Sequence, residues 1–127
     1  MRKTIKFTGM DSTSQMTDYL ERKIDSLDRL IDSADTSVLA QVEVGKITEH
    51  HNKGEIFRAE INLHIAGNDF RVECTADTLY SAIDLAREQL YHELQSHKRR
   101  KISLMRRSGA KIKSLLKGFY GKGDKNV

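Results

Sequence analysis

With 127 residues, 38% of them hydrophobic and 31% charged, the chain has material for one small core and a modest extension, and two independent domains are not expected. No apolar run approaches the roughly 18 to 20 residues that cross a bilayer, and MRKTIKF turns polar too soon for a secretory leader, so a soluble, cytoplasmic protein is expected. The net charge of +4 conceals a divide: residues 1–96 hold 11 Lys/Arg against 17 Asp/Glu, a balance of −6, while residues 97–127 hold 11 Lys/Arg against Asp124 alone, a balance of +10.

Lys3 to Phe7 alternates, with Ile5 and Phe7 on one face, and predicts a first strand. Ser12 followed three residues later by Gln15 has capping-box spacing. From there Met16, Tyr19, Leu20, Ile24, Leu27, Leu30 and Ile31 recur at helical intervals, predicting one helix that ends near 32–34. Residues 36–48 alternate again, with Val38, Ala40, Val42 and Val44 on the inner face. After the polar turn HHNKGE, Phe57, Ala59, Ile61, Leu63 and Ile65 form a third strand. Gly67-Asn68 predicts a two-residue hairpin turn, and Phe70, Val72 and Cys74 alternate along a fourth strand. Asp77 is positioned to cap a second helix whose stripe runs through Leu79, Ala82, Ile83, Ala86, Leu90 and Leu94. Beyond it the Lys- and Gly-bearing stretch predicts a frayed helical end and then a disordered tail.

The expected fold class is therefore α+β in the order β-α-β-β-β-α, a four-stranded, largely antiparallel sheet with both helices on one face and the other face in water. Residues 1–101 form the domain and 102–127 a basic, largely disordered C-terminal extension. Leu39 is the one sizeable apolar residue on the outer face, which offers no aromatic platform for stacking bases, so nucleic-acid contacts should come from the helices and tail.

The sequence carries no positive sign of an enzyme. His50 and His51 adjoin in a turn, His64 lies on the polar strand face, and His92 and His97 lie on the second helix; no HxxxH or CxxC spacing accompanies them. Glycine-rich phosphate loops and nucleophile elbows are absent, so no cofactor, metal or small-molecule substrate is expected. Cys74 is expected to be a small buried hydrophobe. Asp18 with Arg22 and Asp25 with Arg29 have i,i+4 spacing and predict pairs along the first helix. The run HKRRKISLMRR, residues 97–107, is different in kind. Lys98, Arg99, Arg100, Lys101, Arg106 and Arg107 crowd six cations together with almost no acid to pair with, and a phosphate-rich partner answers that repulsion best.

The segment ADTLYSAIDLAREQLYHELQSHKRRK, residues 76–101, resembles the second-helix signature of the ribosome hibernation-promoting factors, also called ribosome-associated inhibitor or sigma-54 modulation proteins, through Asp77, Tyr80, Ala82, Ile83, Asp84, His97 and Lys98. TDYLERKIDSLDRL is similar to that family's charged first helix. The resemblance implies a short-form member with a double-stranded-RNA-binding-domain-like fold. It implies binding to the small ribosomal subunit near the decoding region, where mRNA and tRNA meet, with translation blocked sterically and ribosomes stored inactive, singly or paired, in stress or stationary phase. It further implies rRNA contacts through Arg22, Lys23, Arg29, Arg87 and Lys98, and no membrane partner. Where that family's second helix carries further basic residues, this chain has Gln89, Tyr91, His92, Gln95 and Ser96, so either its charge is displaced to 98–107 or its affinity is lower. The alternative is a general RNA- or DNA-binding module without ribosome preference.

Overall fold

Period-two alternation becomes four strands and period-3.6 stripes become two helices, in the computed structural model, which describes residues 1–32, 34–47 and 54–120, with side chains through Gly109. In chain order they are β1 (Arg2–Thr8), α1 (Ser14–Asp25), a 3₁₀ turn (Asp28–Leu30), β2 (Leu39–Ile47), β3 (Ile56–Ile65), β4 (Asn68–Ala76) and α2 (Leu79–Tyr120). His50, His51 and most of the expected polar turn lie outside the described residues, as do 121–127.

The sheet order is β1-β2-β3-β4. β1 runs parallel to β2, and the other two pairings are antiparallel. The sheet is thus mixed, because α1 forms the crossover that lets β1 and β2 point the same way. Along β2 and β3 the inner residues Ala40, Val42, Val44, Ala59, Ile61 and Leu63 are buried, and Val72 of β4 joins them. Leu20 and Ile24 of α1, Leu27 just after it, and Leu79, Ala82, Ile83, Ala86, Leu90 and Leu94 of α2 complete one core cluster. All six residues of the predicted α2 stripe are buried, and among the described residues no polar side chain is.

The helix ends differ from expectation. Thr13, not Ser12, caps α1, its Oγ1 accepting from the Met16 amide at 3.2 Å. Thr78, not Asp77, caps α2 by accepting from the Ser81 amide at 3.1 Å. In both places two oxygen-bearing side chains are adjacent and the second takes the role. α1 also stops at Asp25, well short of 32–34. The Ser26 hydroxyl donates to the Lys23 carbonyl at 2.6 Å, satisfying an orphan acceptor, and the chain tightens into i→i+3 bonds from Leu27 and Leu30. A 3₁₀ turn also returns side chains to one side, so Leu27, Leu30 and Ile31 prolong the apolar rhythm without prolonging the α-helix. With the helix broken, Asp25 pairs with Lys3 instead of Arg29, and Arg22 Nε reaches the Asp18 carbonyl at 3.4 Å rather than its carboxylate.

The hairpin turn is Ala66-Gly67, one residue earlier than expected, with φ of 47° and 80° and Ile65 opposite Asn68. Positive φ at both central residues is what a type I′ turn requires.

The outer face of the sheet is a closed ionic circuit. Glu43, Glu60 and Glu73 stand directly opposite one another across β2, β3 and β4. Three like charges in a row would repel, and two arginines relieve them. Arg58 contacts all three carboxylates, and Arg71 contacts Glu60 at 3.0 Å and Glu73 at 3.3 Å. The Arg71 hydrogen bond, then that from Asn62, holds the Glu60 carboxyl below its usual range.

The chain divides into two compact units, Met1–Leu94 and Gln95–Val127. The first closes where the apolar stripe closes, at Leu94. In the second, α2 stays helical to Tyr120, through residues where a frayed end and a disordered tail are expected from composition. The absence of proline and the abundance of Lys, Arg and Leu favour that continuation. Ile102, Leu104 and Met105 are exposed there.

Candidate nucleic-acid interface

The termination of α1 at Asp25 puts Arg22 and Lys23 in its last turn, where cations complement the macrodipole. Facing them, α2 presents Asp84, Arg87 and Glu88. Together with Tyr19 and Ser26 these residues line an open groove of about 730 Å³.

Two tyrosines organise its cations. Tyr19 carries Arg22 and Lys23 at 5.8 and 5.4 Å from its ring centroid, and its ring meets that of Tyr80 in a T-shaped contact with the centroids 4.7 Å apart. Tyr91 carries Arg29 and Arg87 at 5.2 and 4.8 Å, joining the 3₁₀ turn to α2. These are cation–π distances, which fix long basic side chains at modest cost in freedom. Arg87 is held further: its Nε donates to Ser26 Oγ at 2.9 Å, its Nη1 pairs with Glu88 at 2.9 Å, and only 13% of the side chain is exposed.

Asp84 ties the groove together. Its Oδ1 accepts from the Tyr19 hydroxyl at 2.6 Å and lies 3.2 Å from Lys23 Nζ. The hydrogen bond to Asp84 raises the pKa values of both Tyr19 and Lys23, so the ammonium stays charged and the phenol stays protonated. An oxygen acceptor met by a phenol and an ammonium is also how a phosphate oxygen would be received.

Four of the expected site residues, Arg22, Lys23, Arg29 and Arg87, are therefore gathered on the helix side of the first unit. Lys98, Arg99, Arg100, Lys101, Arg106 and Arg107 belong to the second unit, where all six are exposed. Sequence reasoning missed Tyr19, Ser26, Glu88 and Tyr91 as parts of a site. The signal was available in the i,i+3 and i,i+4 spacing of Tyr19 to Arg22 and Lys23 and of Arg87 to Tyr91.

The mid-helix residues that depart from the basic pattern have local work. Tyr91 is a platform, and Gln89 Oε1 accepts from the Cys74 thiol at 3.1 Å. Cys74 is half-buried rather than fully buried, and desolvation pushes its thiol pKa up. His64 Nδ1 sits 2.7 Å from Asp69, and His92 lies 3.8 Å from Glu88. Among the described residues no helix is long and apolar enough to cross a membrane.

Fold and groove together define a class of small α+β domain, one with cations mounted on tyrosines between two helices that cover a mixed sheet. Residues 4–102 match the family described as sigma 54 modulation protein / S30EA ribosomal protein, and the chain belongs to that family. A curated relative, the ribosome hibernation promoting factor of Azotobacter vinelandii, is 30% identical over 102 residues, covering 80% of this chain and 87% of the relative. The crystal structure of the N-terminal domain of Thermus thermophilus Protein Y superposes with a TM-score of 0.64 at 28% identity, covering 76% of this chain and 99% of that one. A ribosomal subunit interface protein from Coxiella burnetii superposes with a TM-score of 0.61 at 16% identity, covering 77% and 98%, a likeness of fold.

Proposed function

We propose that this chain is a ribosome hibernation factor that binds the small subunit at the mRNA and tRNA channel near the decoding region, blocks translation by occupying it, and preserves the ribosome in an inactive state. The observation that carries the reading is the family match over residues 4–102, which spans all but the first three residues of the first unit and the first basic residues beyond it. The family is one of ribosome-associated proteins rather than a known enzyme family, and the setting is the cytoplasm. The mechanism is steric, with no bond made or broken. Arg22, Lys23, Arg29 and Arg87, held on Tyr19 and Tyr91, meet rRNA phosphates, and Lys98, Arg99, Arg100, Lys101, Arg106 and Arg107 add further contacts.

Counterion release then dominates affinity. With on the order of six to eight phosphate contacts, binding weakens by roughly 10³ to 10⁴ between 50 and 200 mM salt. Sucrose-gradient profiles of ribosomes with and without the purified protein test binding, subunit preference and pairing together. Co-migration with the small subunit that fades with salt is expected. Absence from every ribosomal fraction at low salt overturns the reading. Equal competition by bulk duplex RNA would instead favour a general RNA-binding module.

A further inference from the structure

A groove meant for phosphate would be expected to exclude carboxylates, yet this one holds two among its seven lining residues. Arg22, Lys23 and Arg87 are offset by Asp84 and Glu88, leaving a formal charge of +1. Neither carboxylate is idle. Asp84 occupies the donors of Lys23 and Tyr19, and Glu88 occupies a guanidinium nitrogen of Arg87. Their oxygens stand where phosphate oxygens would have to arrive.

Resting on the reading of the groove as an rRNA contact, we infer that Asp84 and Glu88 are specificity-determining residues, internal competitors that hold the groove cations against generic phosphate. A phosphate arriving on unstructured or arbitrary RNA must displace a carboxylate that is already in place and tethered. An RNA fold that presents several phosphates at the spacing of Lys23, Arg87 and Arg29 meets the N–H donors that the carboxylates leave over, since an ammonium has three and a guanidinium five, and need displace neither. The internal pairs therefore subtract more from weak, generic binding than from multivalent binding. Specificity is a difference of affinities, and suppressing the wrong partner raises it as surely as favouring the right one. Tyr19 keeps its place in either state because its ring is held by Tyr80. Arg87 likewise keeps its contacts to Ser26 and Tyr91 when Glu88 is displaced.

The test uses the full chain and its Asp84→Asn, Glu88→Gln and doubly substituted variants, measured against purified small subunits and against a short RNA duplex of arbitrary sequence. Both replacements keep shape, and both sites are substantially exposed, at 45% and 58% of the side chain. Thermal melts verify that the variants fold. Each single change is expected to tighten duplex binding about three- to tenfold at low salt and to steepen its salt dependence by about one phosphate contact, with a smaller gain on small subunits, so that the ratio between targets falls. Duplex binding that is unchanged or weaker in the folded double variant overturns the inference, as does an equal gain on both targets. The parent reading fails separately, if Arg22→Gln/Lys23→Gln/Arg87→Gln in the otherwise native chain binds small subunits as tightly as the native protein does.

Discussion

Gly45 is where a single hydrogen matters. It pairs with Thr8 across the parallel β1–β2 ladder, and a Cβ added there would lie 2.1 Å from the Thr8 carbonyl oxygen. Gly45→Ala must push two paired backbones apart, and a loss of about 3 kcal/mol is expected in denaturant titration, at the upper end for overpacking. Ala66 presents the opposite case. Its φ of 47° is left-handed, a region an L-residue other than Asn or Asp occupies at a cost. Ala66→Asn is expected to raise stability by about 0.5 kcal/mol, read as a higher melting temperature. Glu60 gives the pH behaviour. Because its folded pKa is depressed, its contribution is complete above the unfolded value of about 4.3 and disappears as pH falls through the folded value. Glu60→Gln should therefore flatten the acid limb of the stability curve below about pH 4, and an unchanged limb would remove the Arg71 and Asn62 contacts from the account.

At the scale of elements, α1 and α2 each serve the core with one stripe and the groove with another. Leu20 and Leu90 are fully buried, and truncation of either to Ala is expected to cost about 2 to 5 kcal/mol, measurable by chemical denaturation. The stripes, the strands and their order were legible from periodicity alone, because burial selects for it so strongly. Helix ends were less so. Ser12 and Thr13, like Asp77 and Thr78, are chemically equivalent as caps, and only backbone geometry chooses between them. The 3₁₀ turn at Asp28–Leu30 was hidden because its apolar residues continue the α-helical rhythm. In the candidate site the cations were visible from charge, and Arg29 was found although its helix ended before it. The tyrosine platforms were not, since until the ring contacts are known Tyr19 counts as an apolar member of its stripe and Tyr91 only as a gap in the basic pattern of the second helix. The parallel pairing of β1 was equally invisible, since alternation says nothing about strand direction.

For the whole molecule, the decisive number is the division of charge, −6 over residues 1–96 and +10 over 97–127. Changing Lys98, Arg99, Arg100 and Lys101 together to Gln is expected to weaken small-subunit binding and lower its salt slope by about three to four contacts, with the melting temperature of the first unit unaltered because its core closes at Leu94. Unchanged co-sedimentation would assign those four residues to solubility alone.

The carboxylate row on the sheet has a bearing on reuse. Arg58 meets three partners at once, and Glu60 keeps only 14% of its side chain exposed, so mobile ions have little to replace there. Attachments made by solvent-facing lysines and arginines are, by contrast, the first to yield as ionic strength climbs. A brine wash that strips the protein from its target should hand it back intact and ready to seat again, as the proposed storage role requires if stored machinery is ever to restart.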